Sequence, residues 1–264
     1  MRDRDMGIPQ PHEHTRSTFE IRSTLWNRAL DRYGNVNGSI SIPFEARLPE
    51  SPLIEMIWHG RAETDGIPHC PADVLWYMRF LKRDGQTSMT VLGPTTKAVP
   101  VAYREGDEFL GIRFKAGVFM PHLSPENFVN GVVMLPEATS KSFWLHGSAW
   151  EIPVYKNTDV FVDRLAREGL LVRDQVVQNV LQKQPQALSS RSVQYHFLRA
   201  TGLTHKVIQQ IERARRAAAL IGQGVPVLET VHETGYCDQA HLTNSLKRFN
   251  GQTPAQIVRE GQPG

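Results

Sequence analysis

The sequence has few features of secreted or membrane-spanning proteins. Only two cysteines, Cys70 and Cys237, occur in 264 residues. This argues against a disulfide framework or a structural zinc site and favours a reducing cytosol. No apolar run approaches the roughly 18 residues of a membrane helix, and the N-terminus lacks the apolar core of a signal peptide. We therefore expect a cytoplasmic protein that does not enter the membrane.

The motifs of common enzyme classes are also missing. The chain has no G-x-S-x-G nucleophile motif, no H-E-x-x-H zinc motif and no glycine-rich phosphate loop. His59, His69 and Asp73 fall in a β-type region and leave a cupin-like metal enzyme as a minor alternative. They lack the tight H-x-H, downstream carboxylate and second histidine of such a site. We predict no catalytic residue, no cofactor and no bound metal.

The charges are unevenly distributed along a chain that is long enough for two domains. Hydrophobic residues make up 40% and charged residues 22%, so a substantial core can be buried. The net charge is +3. From Ser189 onward, nine Lys/Arg stand against five Asp/Glu, whereas the preceding part carries 21 against 22. A basic C-terminal part is what binding to nucleic-acid phosphates requires.

Two similar helix patterns occur between residues 189 and 257. Each has a polar entry, an apolar stripe along one face and a glycine that ends it. The stripes and their glycines are Val193, Phe197, Ala200 and Gly202 in the first pattern, and Leu242, Leu246, Phe249 and Gly251 in the second.

The opposite faces of both patterns carry side chains suited to base edges and phosphates. Either face alone would be interpreted as a solvated surface, but the repetition predicts two recognition helices of helix-turn-helix units. The faces consist of Arg191, Gln194, Tyr195 and Leu198 in the first unit, and of Gln239, Ala240, His241, Thr243, Asn244 and Lys247 in the second.

A third helix is predicted between the two units, from Thr204 to about Ile221. Its apolar positions alternate steps of three and four, Thr204 can cap its start and Gly222 can end it. Such a helix is roughly 27 Å long. It could therefore hold two recognition helices about one DNA turn apart, near 34 Å, so that one chain reads two successive major grooves.

This region resembles the DNA-binding domain of the AraC/XylS family of transcriptional regulators. The resemblance rests on RSVQYHFLRATGLTHKVIQQIERARRA in the first unit and linker, and on ETVHETGYCDQAHLTNSLKRFNGQTPAQI in the second. The turn glycine is Gly235, the polar residue three positions later is Asp238, and the terminal G-x-[ST]-P runs from Gly251 to Pro254. The scaffolding helix of the first unit is placed near residues 174–184.

The resemblance implies a DNA-contact surface on both recognition helices. The family often has basic residues where this chain has Tyr195 and Asn244, which predicts fewer direct base contacts. The expected base-contacting residues are Arg191, Gln194 and Tyr195 in the first unit and Gln239, Ala240, His241 and Asn244 in the second. The expected phosphate contacts are Ser190, Arg199, Lys206, Thr243, Lys247 and Arg248.

The N-terminal half has a different pattern. Residues 1–20 are charged and aperiodic, which predicts a disordered tail. From about residue 40 to 115, short β-type runs alternate with Gly and Pro and predict a barrel or sandwich. Helices are expected at about 124–130 and 158–171. The predicted fold class is α+β, with a β-rich domain at 21–155 and an all-α DNA-binding domain at 156–260.

The β-rich half also resembles the N-terminal domains of some AraC-like regulators, most clearly in GPTTKAVPVAYREGDEFLGIRFKAG. Such a domain would bind a small-molecule effector or mediate homodimerisation. We interpret most of its large side chains as sheet core. The residues considered for an effector pocket are Trp58, Trp76, Phe80, Tyr103, Arg113 and Phe114.

These observations predict a sequence-specific transcriptional regulator that binds double-stranded DNA and is modulated by its N-terminal domain. RNA polymerase would be a further partner if the protein activates transcription. The alternative is an architectural or weakly specific DNA-binding protein without an effector.

Overall fold

The computed structural model of the chain describes residues 44–123 and 125–261. The predicted disordered tail, residues 1–20, lies outside the described residues. So does most of the β-type run SISIPFEA, of which the described part begins at Phe44.

The N-terminal part is built on a six-stranded antiparallel sheet, in which the strand order is β1-β2-β7-β4-β5-β9. A three-stranded meander, β10-β11-β12, follows it in sequence, and two short pairs, β3 with β6 and β8 with β13, complete the strands of the described ranges. The strands are β1 (Phe44–Arg47), β2 (Ile54–Arg61), β3 (His69–Cys70), β4 (Tyr77–Arg83), β5 (Gln86–Leu92), β6 (Val99–Pro100), β7 (Glu108–Phe114), β8 (Val118–Phe119), β9 (Val132–Leu135), β10 (Glu137–Thr139), β11 (Ser142–Leu145), β12 (Ser148–Glu151) and β13 (Val172–Arg173).

The hairpin between β4 and β5 shows how local sequence sets the sheet. Asp84 and Gly85 form a two-residue turn with φ values of 50° and 80°. An Asp-Gly pair with positive φ is the turn that matches the twist of antiparallel strands. It fixes the register at Arg83 opposite Gln86. Met78 and Phe80 of β4 therefore lie on one face and are buried there.

One face of the sheet is covered by a cluster of aromatic side chains. Phe80 of the sheet contacts Phe143 of β11 at a centroid distance of 5.8 Å and Phe161 at 6.1 Å. Phe161 also meets Trp150 of β12 at 6.0 Å. The sheet, the meander and the helix that carries Phe161 are therefore packed into one core.

The C-terminal part is helical, and one short helix, α1 (Pro125–Phe128), lies within the β-rich part between β8 and β9. The helices that follow are α2 (Thr158–Arg167), α3 (Gln175–Leu181), α4 (Ser190–Thr201), α5 (His205–Gly222), α6 (Val227–Thr234), α7 (Gln239–Phe249) and α8 (Pro254–Gly261). A 3-10 turn at Tyr155–Asn157 precedes α2.

Two hydrophobic cores divide the buried apolar residues. The larger core joins the β-rich part to α2, α3, α4 and the first half of α5, and includes Trp76, Phe197 and Ile211. The smaller core joins the second half of α5 to α6, α7 and α8, and includes Leu242 and Leu246. The first helix-turn-helix unit thus shares its core with the sheet. The second unit is built mainly on the smaller core, but Phe249, at the end of its recognition helix, belongs to the larger one.

The predicted order of a β-rich part followed by a helical part is confirmed. The linker helix predicted at Thr204 to about Ile221 is α5, which begins one residue after its cap, Thr204. The helix predicted at 158–171 ends earlier, because Gly169 adopts a φ of 72°. The strands between residues 132 and 151 were not predicted, since their short runs lie beyond the last strong β pattern.

Within the ranges that the structure describes, no helix combines the length and the apolar character needed to cross a membrane.

The separate core of the second unit gives a stability prediction. Leu246 is fully buried on α7, and Leu246→Ala should lower the free energy of unfolding by about 2–5 kcal/mol, because it leaves a cavity. Chemical denaturation would measure this loss. The neighbouring Lys247 is exposed, so Lys247→Ala should change stability by no more than about 0.5 kcal/mol. Equal stability of the two variants would contradict the assigned core.

Candidate nucleic-acid interface

The second unit is a helix, a tight turn and a second helix. The helix α6 ends at Gly235, whose φ of 70° is in the left-handed region that glycine adopts without strain. Asp238 then caps α7, because its carboxylate accepts a hydrogen bond from the backbone N–H of His241 over 2.7 Å. Gly235 and Asp238 therefore set the angle between the two helices.

The linker helix α5 holds this turn in place. The guanidinium of Arg213 donates to the carbonyl of Gly235 over 3.3 Å and lies 4.4 Å from the centre of the Tyr236 ring. The hydroxyl of Tyr236 is in turn 2.7 Å from that of Ser245 on α7. The turn is consequently connected to α5 and to α7, which fixes α7 relative to α5.

The two faces of α7 differ sharply. Leu242, Leu246 and Phe249 are buried, as the apolar stripe predicted. The predicted base-contacting residues are all exposed, and the predicted phosphate contacts are exposed except for Thr243, which is half-buried. The exposed set is Gln239, Ala240, His241, Asn244, Lys247 and Arg248.

The first unit is anchored by Asp174. Its carboxylate caps α3 by accepting from the N–H groups of Val176 and Val177. The ring nitrogen Nδ1 of His196, on α4, lies 2.7 Å from the other carboxylate oxygen. One side chain therefore ends the loop before α3 and connects α3 to α4.

The helix α4 begins at a serine cap and exposes the predicted residues. The hydroxyl of Ser189 accepts from the N–H of Ser192 over 3.2 Å. Tyr195 is 63% exposed, which leaves its aromatic ring available to a partner. The other exposed members of the predicted set on α4 are Ser190, Arg191, Gln194 and Arg199.

Two predicted phosphate contacts have aromatic neighbours. The guanidinium of Arg199 lies 5.9 Å from the centre of the Phe119 ring on β8, and that of Arg248 lies 4.9 Å from the Phe249 ring. These contacts are cation–π pairs that restrict both side chains. Lys206 is exposed in the first turn of α5.

A buried ion cluster lies between the sheet and α5. Asp73 is 8% exposed, and its carboxylate pairs with Arg113 of β7 at 2.8 Å and with Arg215 of α5 at 3.0 Å. Burial alone raises the pKa of this carboxyl, but Arg113 and Arg215 outweigh it and hold the pKa below its usual range. Asp73 is therefore ionised at neutral pH. The hydroxyl of Tyr77 also bonds to it.

An open cavity of about 1310 Å³ lies at one end of the sheet. Its lining includes the apolar or aromatic side chains Phe80, Leu110 and Tyr155 and the charged side chains Arg61, Lys82, Glu45, Glu63, Glu105 and Glu108. Concave sites that combine apolar and polar groups are the usual places for small molecules to bind.

The structure separates the six residues considered for an effector pocket. Only Phe80 is among the residues that line this cavity. Trp76 and Phe114 are buried in the larger core, and Arg113 is paired with Asp73. Trp58 packs directly on Gly111, and Tyr103 packs directly on Gly66. The rings are so close that a Cβ atom on either glycine would overlap them.

The three residues considered for a metal-dependent enzyme, His59, His69 and Asp73, are not brought together in one site. His59 pairs with Glu45 at 3.1 Å, and Asp73 pairs with two arginines. His69 lies on the short strand β3. Among residues 44–123 and 125–261, no group of three or more His, Cys, Asp or Glu side chains is arranged to hold a metal ion.

Sequence reasoning missed the residues that position the recognition helices. Asp73 and Arg215 are 142 positions apart, and Asp174 and His196 belong to different helices. Arg213 lies in a run of charged residues that looks like an ordinary exposed helix face, so its contact with the turn was not predicted. No short-range pattern marks such pairs, so the sequence alone gave no signal for them.

Comparison with known proteins supports the C-terminal assignment. Residues 186–260 match a family model described as a helix-turn-helix domain. The search of curated proteins found no match.

Three structures of ToxT from Vibrio cholerae show weak structural similarity. One matches 82% of this chain and 98% of its own at 9% identity, with a TM-score of 0.35. A second, from strain O395, matches 84% and 99% at 8% identity, with a TM-score of 0.36. A third is bound to (E)-4-(8-methylnaphthalen-1-yl)but-3-enoic acid and matches 83% and 99% at 9% identity, with a TM-score of 0.35.

The cap of α7 gives a prediction that is independent of DNA. Asp238→Ala should lower the free energy of unfolding by about 1 kcal/mol, because the N–H of His241 loses its partner. Thermal or chemical unfolding would measure the loss. Asp238→Asn keeps an accepting oxygen at the same position and should retain most of the stability. If both variants are as stable as the wild type, Asp238 does not cap the helix.

Proposed function

We propose that this chain, whose residues 186–260 form a helix-turn-helix domain of the AraC type, is a sequence-specific transcriptional regulator. The observation that supports this most directly is the paired arrangement of α4 and α7. Each is capped at its start, buries an apolar stripe and exposes a polar face rich in Arg, Gln, Asn and His. Two such faces on one chain suit two successive major grooves.

Base recognition is assigned to the first two turns of both helices. Arg191 suits guanine, Gln194 and Gln239 suit adenine, and Ala240 suits the thymine methyl group. Tyr195, His241 and Asn244 complete the base-contacting set. The phosphate contacts Ser190, Arg199, Lys206, Thr243, Lys247 and Arg248 fix the register without reading sequence.

The β-rich part is assigned the role of sensing a small-molecule effector. The cavity is lined by the apolar side chains Phe80 and Leu110 and by both basic and acidic side chains, and would accept a molecule with an apolar body and a polar end. We place the protein in the cytoplasm, where its free cysteines, Cys70 and Cys237, remain reduced.

Selection of bound DNA from a random duplex pool tests the proposal. Two enriched blocks about one helical turn apart would support reading by both helices. Retention of random and selected DNA with equal affinity at matched salt would instead favour the architectural alternative, since a specific regulator should prefer its site by about 10³-fold or more.

Arg191 provides the first prediction from this function. Arg191→Ala should weaken binding to the selected site by about 1–3 kcal/mol and change binding to random DNA little, because its proposed contact is to a base edge. Titration of both duplexes by fluorescence anisotropy would measure this. Arg167→Ala, which removes an exposed arginine from α2, serves as a control and should leave both affinities unchanged. Equal losses on both duplexes for Arg191→Ala would show a phosphate contact only.

The cavity gives a prediction about ligand binding. Thr87 lines the cavity, whereas the neighbouring Gln86 is exposed and lies on the opposite face of the strand. A small molecule that raises the unfolding temperature of the wild type should have no effect on Thr87→Trp, because the indole fills the space. The control Gln86→Trp should respond as the wild type does. An undiminished response of Thr87→Trp would place the effector elsewhere.

A further inference from the structure

The two helix-turn-helix units are supported by different parts of the molecule. The helix α4 packs on α1, α3 and β8, so the first unit is attached to the β-rich part. The helix α7 packs on α5 and α6, mainly within the smaller core, while its last residue, Phe249, belongs to the larger core. The relative orientation of the two recognition helices therefore depends on what connects α7 and α5 to the β-rich part.

One short loop of the β-rich part bonds to the ends of both recognition helices. We call residues 72–76 the coupling segment. The indole N–H of Trp76 donates to the carbonyl of Ala200, in the last turn of α4, over 2.9 Å. The N–H of Ala72 donates to the carbonyl of Phe249, the last residue of α7, over 2.7 Å. Carbonyls in the last turn of a helix lack partners within the helix, so these donors satisfy them.

A third bond strengthens the hold on α7. The N–H of Ala98 donates to the carbonyl of Arg248 over 2.8 Å. Just beyond α7, Gly251 has a φ of 78°, and a Cβ atom there would come within 2.9 Å of Ala98 and 3.1 Å of His69. The end of the second recognition helix is therefore in close contact with the β-rich part.

The coupling segment is itself fixed by the buried ion cluster. Arg215 of α5 donates to the carbonyl of Ala72 over 2.9 Å and pairs with Asp73 at 3.0 Å. Asp73 also accepts from the N–H of Leu75 over 3.2 Å and pairs with Arg113 of the sheet. One carboxylate thus connects the segment, the sheet and the linker helix in a site where side chains are closely packed.

The length of the segment limits the separation of the two helix ends. Four steps of an extended chain span at most about 14 Å between the Cα atoms of Ala72 and Trp76. One base pair shifts a half-site by about 3.4 Å along the DNA and rotates it by about a tenth of a turn. The length of the segment therefore limits the separation to about four base-pair steps, and the hydrogen bonds at its two ends hold the helices more closely than that limit.

We infer that the coupling segment sets the spacing between the two half-sites that the protein accepts, so that Trp76, Asp73 and Arg215 are positioning residues for DNA recognition. This rests on the proposed function, since it requires that both helices read DNA. The residues touch neither base nor phosphate. They decide which separation of two otherwise unchanged half-sites can be bound at once.

The test uses the full chain and duplexes in which the two selected half-sites are separated by every spacer within three base pairs of the preferred one. The wild type should favour one spacing over its neighbours by about tenfold or more, a preference comparable to one mismatched base pair. Trp76→Phe removes the donor to Ala200 and keeps an aromatic ring against Phe128. It should reduce the preference to less than about threefold, with the sequence of each half-site unchanged.

A second variant and a matched control complete the test. Arg215→Gln releases α5 from Ala72 and Asp73 and should broaden the accepted spacing in the same way. Arg83→Gln breaks a comparable ion pair, 2.6 Å to Asp107, at the far end of β4, and should retain the wild-type spacing. Cooperative thermal unfolding of each variant identifies those that fold. If Arg215→Gln does not fold, the spacing preference of Trp76→Phe alone tests the inference.

The outcomes separate the two claims. Loss of spacing preference with retained half-site sequence supports the inference. A wild-type spacing preference in folded Trp76→Phe overturns the inference and leaves the proposed function intact. A wild type that enriches no pair of half-sites overturns the proposed function, and the inference with it.

Discussion

The carboxylate of Asp73 is the contact on which the arrangement of the whole molecule depends. It lies between Arg113 of the sheet and Arg215 of the linker helix, and both ion pairs are buried. Removing the carboxylate alone would leave two buried arginines facing each other, which costs more than the attraction itself contributes. A buried ion pair is weak evidence for stability but specifies one geometry. Here that geometry joins the two parts of the chain.

The two recognition helices are therefore packed on different parts of the molecule, although their sequences follow one pattern. Phe197 of α4 belongs to the same core as Trp76, so the first helix is packed on the sheet along its length. Leu242 and Leu246 of α7 belong to a separate core, and Phe249 at the end of α7 belongs to the larger one. The position of the second helix is set by its packing on α5 and by the hydrogen bonds that Ala72 and Ala98 donate to its end.

Local patterns in the sequence predicted the elements but not their assembly. Thr204 caps α5 and Gly202 ends α4, as their sequence patterns predicted, because capping is decided within four residues. Gly235 and Asp238, which the family resemblance placed in the turn of the second unit, end α6 and cap α7. The exposed positions on α4 and α7 followed from helical periodicity, while their contacts to bases stay predictions. Asp73 with Arg215 and Trp76 with Ala200 could not be predicted, since each pair is brought together only by tertiary folding. The same applies to the cavity, of which only Phe80 was anticipated.

The shared core has a consequence for how the protein can be divided. The family match begins at residue 186, yet a fragment cut there would uncover Phe197, Ala200, Ile208 and Ile211, which now pack in the larger core. Exposed apolar patches of this kind promote association between molecules. The helical part and the sheet therefore share one buried surface. Exchange of this region between proteins would have to carry the matching surface of the sheet with it.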